Sequence, residues 1–398
     1  MFRALILVGA LGAAACASSA PEIAPNQLEA SETGYAVSEK MQEARGFLFS
    51  HSKTFLADAN ARGFGTGYNQ AVTMLGRDDL MALIPPEDSW HQTKDCSKGG
   101  RPALAGIGEL TKNHTLVIIN ESHSRPRHRA FIAEVVEMLR AEGFTHYAAE
   151  TLYVEGAQQT EGPATAEHGW YIQDPVFARI LEDIRASGMV LVAYEQSEEQ
   201  RLKREDATIE EIIAVREEAQ ALNLIDAVLG EAPETRMVIH VGYGHAEEIR
   251  EGDFAAMAAR LKEKTGIDPL TIDLTACASS GSEPLLTAIL EDRPVMEWSG
   301  MDVAVQFPEL GFTRGRPDYR RIGGARDIDV PAALRASEGL VIIEARLAGQ
   351  GDEVVPIDRL LLRPGEDIPL ILPPGDYVLA AFDGKGLAAG PVEITVTP

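Results

Sequence analysis

The sequence predicts an α/β fold, a mainly parallel sheet flanked by helices, followed by a small C-terminal antiparallel β-sandwich. Five short apolar runs rich in β-branched residues, at 115–119, 145–149, 189–194, 237–241 and 270–274, alternate with helical patterns. Strands separated by helices of that length require crossovers and a parallel sheet. The runs are almost continuously apolar, as strands covered on both faces are. The tail changes character, with strand-like runs at 340–347, 354–362, 368–372, 377–382 and 392–396 split by turns such as Pro-Pro-Gly-Asp and Asp-Gly-Lys-Gly. That spacing is the mark of a small antiparallel sandwich.

The helices between the runs carry start and stop signals. After the first run, Ser124 is the expected N-cap and Pro126 opens the first turn, with Phe131, Ile132, Val135, Val136, Met138 and Leu139 on the apolar face. Asp174 and Pro175 start a second helix, faced by Phe177, Ile180, Leu181 and Ile184 and stopped at Gly188. Thr208 and Glu211 form a capping box for a third, and a last helix ends at Gly266. Residues 151–173 form a long insertion containing Tyr153, His168, Trp170 and Tyr171. Its aromatics suit either a lid over a site or simple surface packing.

With 398 residues, 45% of them hydrophobic, the chain has material for one large domain and a smaller one. The 61 acidic against 36 basic residues give a net charge of -25. That charge opposes binding to nucleic acid or an anionic membrane surface, which depends on neutralising phosphates. Residues 1–15 combine an early Arg3, an apolar run and small residues, the pattern of a signal peptide. Ala-Ala-Ala-Cys resembles a bacterial lipobox, which makes Cys16 the expected lipidation site and residues 16–36 a lipid-anchored tether. The expected location is the bacterial cell envelope, periplasm-facing or at the outer membrane, with membrane contact through the lipid; with a plain signal peptide the protein is instead secreted. Cys96 and Cys277 are then expected to pair as a disulfide, since export permits bridging. Residues 37–104 read as a helical segment packing on the main domain, 105–280 as the α/β domain and 281–336 as a connector. Residues 337–398 form the sandwich; lacking His and Cys, this tail is expected to be an accessory that folds independently.

Chemistry concentrates where the apolar runs end. Glu121 and His123 follow the first run, Glu150 the second and Glu195 the third, and Gly242-Tyr243-Gly244-His245 follows the fourth. Parallel strands deliver all of these to one rim, where open α/β sheets bind ligands. Clustered carboxylates repel in a cleft of low dielectric and need protons, cations or a substrate to offset one another. Imidazole with carboxylate suits a divalent metal such as zinc or manganese, or a general-base pair that activates water.

Asn120-Glu121-Ser122-His123 with His128 and an amphipathic helix, Ala149-Glu150-Thr151, and Gly242-Tyr243-Gly244-His245 together resemble a superfamily. It joins ChaN-type haem-binding lipoproteins, TraB and Tiki metalloprotease-like proteins, and erythromycin esterases, with Gly-Glu-x-His and Gly-x-x-His motifs. The resemblance spans about residues 105–276 and is nearest the ChaN type, with Asn120 in place of the usual Gly. It implies Glu121, His123, Glu150 and His245 as the catalytic site, with His123, Glu150 and His245 as the metal set. Glu195, His128 and Arg216 are supporting candidates by position. The expected function is a hydrolase that activates water against an ester or amide of a small-molecule or peptide substrate. The alternatives are a haem carrier for iron uptake and a non-catalytic scaffold.

Overall fold

The computed structural model describes residues 35–58, 66–83, 96, 100–159, 161–277, 281–286 and 300–398. The expected signal peptide, the lipidation site Cys16 and nearly all of the tether lie outside the described residues. No helix among the described residues is long and apolar enough to cross a membrane.

All five apolar runs become strands. In chain order the main sheet contains β1 (Arg101–Pro102), β2 (Leu116–Glu121), β3 (His146–Ala149), β4 (Val190–Ala193), β5 (Met237–Gly242), β6 (Leu270–Asp273), β7 (Leu285–Leu286) and β8 (Val303–Gln306). Their spatial order is β1-β7-β8-β6-β2-β5-β3-β4. The pairs from β8 through β6, β2, β5 and β3 to β4 are parallel, and the β1 and β7 pairings at one edge are antiparallel. The segment read as a connector therefore contributes β7 and β8 to the sheet. Both are too short to show a periodicity of their own.

Period-2 alternation divides the core into two layers. Val117, Ile119 and Val238 face one way, against the helices Ala103–Leu110, Pro126–Ala141 and Pro175–Ala186. Leu116, Ile118 and Ile239 face the other, against Ile209–Leu224 and Met257–Thr265. Asp174 caps its helix through Val176 N, and Thr208 and Glu211 form the expected capping box. The helix after β2 departs from expectation: its N-cap is Arg125, without a side-chain cap bond, because Ser122 to Arg125 close a turn first. Cys96 and Cys277 form the expected disulfide, their Cα atoms 5.6 Å apart.

In the tail, β10 (Val341–Leu347), β11 (Asp358–Leu362), β13 (Gly375–Asp383) and β14 (Gly386–Val396) make an antiparallel sheet in the order β11-β10-β13-β14, while β9 (Arg326–Ile328) pairs with β12 (Leu370–Leu372). One face of the larger sheet, through Ile343, Leu360 and Leu379, packs on Leu370 and Leu372. The other face, through Ile342, Leu361, Ala380 and Phe382, joins the core of the α/β domain. Glu344, fully buried on that sheet, receives Arg45 of helix Glu39–Ala57 at 2.8 Å, Arg359 at 2.6 Å and Arg346 at 2.7 Å. A shared apolar core and a shared buried charge cluster replace the expected independence of the tail.

Deleting residues 337–398 is accordingly expected to abolish cooperative unfolding. It uncovers the core and strands Arg45, and losing one partner of a buried ion pair alone costs roughly 3–5 kcal/mol. Urea denaturation followed by far-ultraviolet circular dichroism checks this; an unchanged midpoint in the truncated chain would show the tail to be separable.

Candidate active site

Glu121, His123, Glu150, Glu195 and His245 all meet at the carboxyl edge of β2, β5, β3 and β4. Register brings them together: Glu121 lies opposite Gly242, and Ala149, which precedes Glu150, lies opposite His240. Glu121 is fully buried and its Oε1 accepts from His123 Nδ1 at 2.9 Å. Arg129, on the first turn of the following helix, donates to both Glu121 oxygens at 2.9–3.1 Å and to Asp174 at 2.6 Å. His240 Nε2 lies 3.3 Å from Glu121 Oε2, while its Nδ1 meets the Tyr147 hydroxyl at 2.7 Å. Burial opposes ionisation of Glu121, yet Arg129 and His240 hold its carboxyl well below the usual range.

Glu150 is the centre of the second half. Its Oε2 accepts from Gly242 N at 3.0 Å and stands 3.3 Å from His123 Nε2. Its Oε1 accepts from Arg216 at 2.8 Å and lies 3.4 Å from His245 Nε2. Arg216 also holds Glu195 through two bonds and places Nη1 2.9 Å from His245 Nε2. His245 Nδ1 is 2.7 Å from Glu217, whose other oxygen accepts from Met257 N at the start of the last helix. Burial works against charge on both imidazoles, but Glu150 and Glu121 raise His123, and Glu217 and Glu150 push His245 up to about 10. Burial likewise opposes ionised Glu150 and Glu195, and the cations prevail: His245, His123 and Arg216 lower the first, and Arg216 lowers the second.

Tyr171 of the insertion stacks on His123 at 4.0 Å, and Tyr243 meets the same ring edge-on at 4.8 Å. The insertion thus combines both expected roles. Tyr171 covers the site, while Trp170 packs edge-on against Phe47 and His168 bonds Thr165 and Arg185. Gly242 is required here, since a Cβ on it would stand 2.2 Å from His123 Cε1. Thr151 at φ 59 and Tyr243 at φ 43 directly follow Glu150 and Gly242, strained backbone on both sides of the cluster.

His128 does not belong to the cluster. Its Nδ1 accepts from Ser122 N at 3.1 Å and its ring stacks on Phe307, and burial with Arg127 and Arg125 nearby keeps it neutral. The metal set also needs correction. His123, Glu150 and His245 are neighbours, but Arg216 already donates to Glu150 and stands 2.9 Å from His245 Nε2, and among the described residues no group of three or more His, Cys, Asp or Glu is arranged to hold a metal ion. The residues present do not fit a metal there. They do not fit an axial haem ligand either, because each cluster imidazole is at most 9% exposed and engaged by carboxylates. Arg129, Asp174, Glu217, His240, Tyr171 and Tyr243 complete the site without having been candidates. In the sequence His240 carried a signal as a lone histidine inside an apolar run, Tyr171 as an aromatic of the insertion and Tyr243 within the Gly242-Tyr243-Gly244-His245 turn.

Fold and site define an α/β protein with a carboxylate–imidazole–guanidinium cluster at its strand ends. No protein-family model matches the sequence, and no curated protein matches it. Solved structures that match include RRSP, a MARTX toxin effector domain from Vibrio vulnificus, at 16% identity and a TM-score of 0.32, covering 58% of this chain and 44% of that one. ChaN of Campylobacter jejuni, described for cofacial haem binding, matches at 10% identity and a TM-score of 0.35, covering 51% of this chain and 91% of that one. A Bacillus cereus protein matches at 9% identity and a TM-score of 0.35, covering 55% of this chain and 93% of that one. The chain spans less than half the length of the toxin chains it matches. At these scores no likeness bears on what the cluster does.

Gly242→Ala is expected to push the His123 ring out of place and to lower stability by about 1–3 kcal/mol, the usual range for overpacking a filled site. Chemical denaturation checks the second effect, and the pH titration of the His123 ring followed by NMR checks the first.

Proposed function

We propose that this protein is a hydrolase in which His123 activates water against an ester or amide carbonyl. One observation carries the reading: two imidazole–carboxylate pairs, His123 with Glu121 and His245 with Glu217, face the same Glu150 from opposite sides. Donation from Nδ1 to Glu121 leaves His123 Nε2 as the nitrogen that takes a proton, with Glu150 3.3 Å away to stabilise the imidazolium that forms. Water oxygen bonds to the carbonyl carbon as its proton passes to Nε2. The tetrahedral intermediate then expels the alcohol or amine, which takes that proton back. Arg216 and protonated His245 supply positive charge for the developing oxyanion. Access requires Tyr171 to leave the His123 face, a movement for which strained Thr151, at the start of the insertion, is the natural hinge.

His123→Ala is expected to lower kcat/KM by about 100-fold or more on a susceptible ester, with little change in melting temperature. The wild-type rate should follow a bell. It rises as pH climbs through the raised pKa of His123, above 6.5, because the base must be neutral, and falls as His245 loses its proton near 10. A panel of chromogenic esters and amides tests this. Absence of turnover on the whole panel, together with a Soret band on adding haem, would replace the hydrolase reading with haem carriage.

The proposed setting is the cell envelope, with Cys16 lipidated, a reading supported by the signal-like first 15 residues and the Ala-Ala-Ala-Cys junction. Cys16→Ala should move the protein from the membrane fraction to the soluble fraction. Equal membrane association of the variant and the wild type would remove the anchor from the proposal.

A further inference from the structure

Among the described residues Arg125 is a cation without a counter-ion. Elsewhere the deeply set arginines hold carboxylates: Arg45 with Glu344, Arg77 with Glu366, Arg129 with Glu121, Arg216 with Glu150 and Arg316 with Asp358. Arg125 is half-buried, yet among the described residues its guanidinium makes no ion pair and no hydrogen bond. In a chain with 61 acidic residues against 36 basic ones, an arginine left unpaired is the exception. Burial lowers its pKa, and the Tyr243 hydroxyl offsets only part of that loss. The next cation along, Arg127, is brought down to about 10 by burial and by Arg125 itself.

The place of this charge matters. Arg125 N donates to Ser122 O at 2.9 Å, which closes the turn that carries His123. Ser122 Oγ lies 3.3 Å from the Tyr243 hydroxyl, and the Tyr243 ring meets His123 edge-on. Ser122, Arg125 and Tyr243 are all half-exposed, whereas His123 beneath them is buried. The outer rim of the site therefore presents one unpaired guanidinium and two hydroxyls. Arg127 is not equivalent, because it already donates to Pro308 O at 3.0 Å and lies over the Phe307 ring.

We infer that Arg125, with the hydroxyls of Ser122 and Tyr243, binds an anionic oxygen group of the substrate, a carboxylate or a phosphate, at the rim above His123. The inference rests on the hydrolase reading for the word substrate, and on the rim alone for the anion. A planar guanidinium fork matches two oxygens of either group, and the hydroxyls can donate to the same oxygens. Such a site selects acidic esters or amides over neutral ones, and it holds the reacting carbonyl near His123 through a contact remote from the bond that breaks.

The test is calorimetric titration of the full chain with inorganic phosphate and, separately, with acetate, at ionic strength held constant with chloride. Saturable one-site binding of at least one anion is expected, and the tighter of the two identifies the class. Arg125→Gln should weaken that binding about tenfold or more, the scale of a charge-assisted bidentate contact, while Arg125→Lys retains part of it. His123→Ala should still bind the anion, so loss of hydrolysis and loss of anion binding are read separately. Because Arg125 has no partner to lose, Arg125→Gln should melt in chloride no lower than the wild type. Three results would each overturn the inference: no saturable binding of either anion to the wild type, equal binding by Arg125→Gln, or a melting temperature several degrees lower for that variant.

Discussion

The structure turns on the compensation of buried carboxylates. Three parallel strand ends bring Glu121 and Glu150, both buried, and the half-buried Glu195 to one edge, and helix Ile209–Leu224 adds the buried Glu217. Uncompensated, such a group would take up a proton or open the fold. Arg129 and Arg216 prevent this, each by reaching from a helix on a different face of the sheet to a strand end. The two helices are thereby tied to the sheet by charge as well as by their apolar faces. The imidazoles of His123 and His245 occupy the space between, where small changes in protonation move charge across the centre of the site.

The tail governs that site from a distance. Insertion and tail meet through Val355 N donating to Ala164 O at 2.8 Å and Arg359 donating to Gln173 O at 2.9 Å. Arg359 also binds Glu344, so the charge cluster that joins tail and N-terminal helix also fixes the end of the insertion that carries Tyr171. A change at Glu344 should be felt at His123 through this chain of contacts, because Tyr171 stacks on that ring. The C-terminal sheet is thus a support for the cover of the site, with its second face filled by its own small core.

Charge distribution separates the inner site from its rim. Inside, each carboxylate has a cationic or imidazole partner and the cluster is close to self-compensated. At the rim Arg125 has no carboxylate partner among the described residues, in a molecule whose net charge is -25. A long-range field of that sign repels anions in general, so recognition of an acidic group has to be local and short-range, as a partly desolvated guanidinium provides.

The sequence by itself determined the parallel α/β core, the helix starts at Asp174 and Thr208, the disulfide, and the convergence of Glu121, His123, Glu150, Glu195 and His245. These follow from local rules: apolar runs become buried strands, capping residues start helices, and parallel strands end on a common edge. Arg216 could be proposed from its position, but its bonds to Glu150 and Glu195 could not. Arg129 and Glu217 stayed hidden, and Asp174 and Tyr171 were legible only as a helix cap and an insertion aromatic, because each reaches the cluster from a separate element, across sequence gaps that no periodicity measures. His128 looked like a site residue from its spacing, yet the turn at Ser122 points it at its own backbone. Only the tertiary structure decided that the Arg216 guanidinium lies among Glu150, Glu195 and His245. It also decided that the tail shares the main core, because one strand face shows no sign in its sequence of which neighbour will cover it.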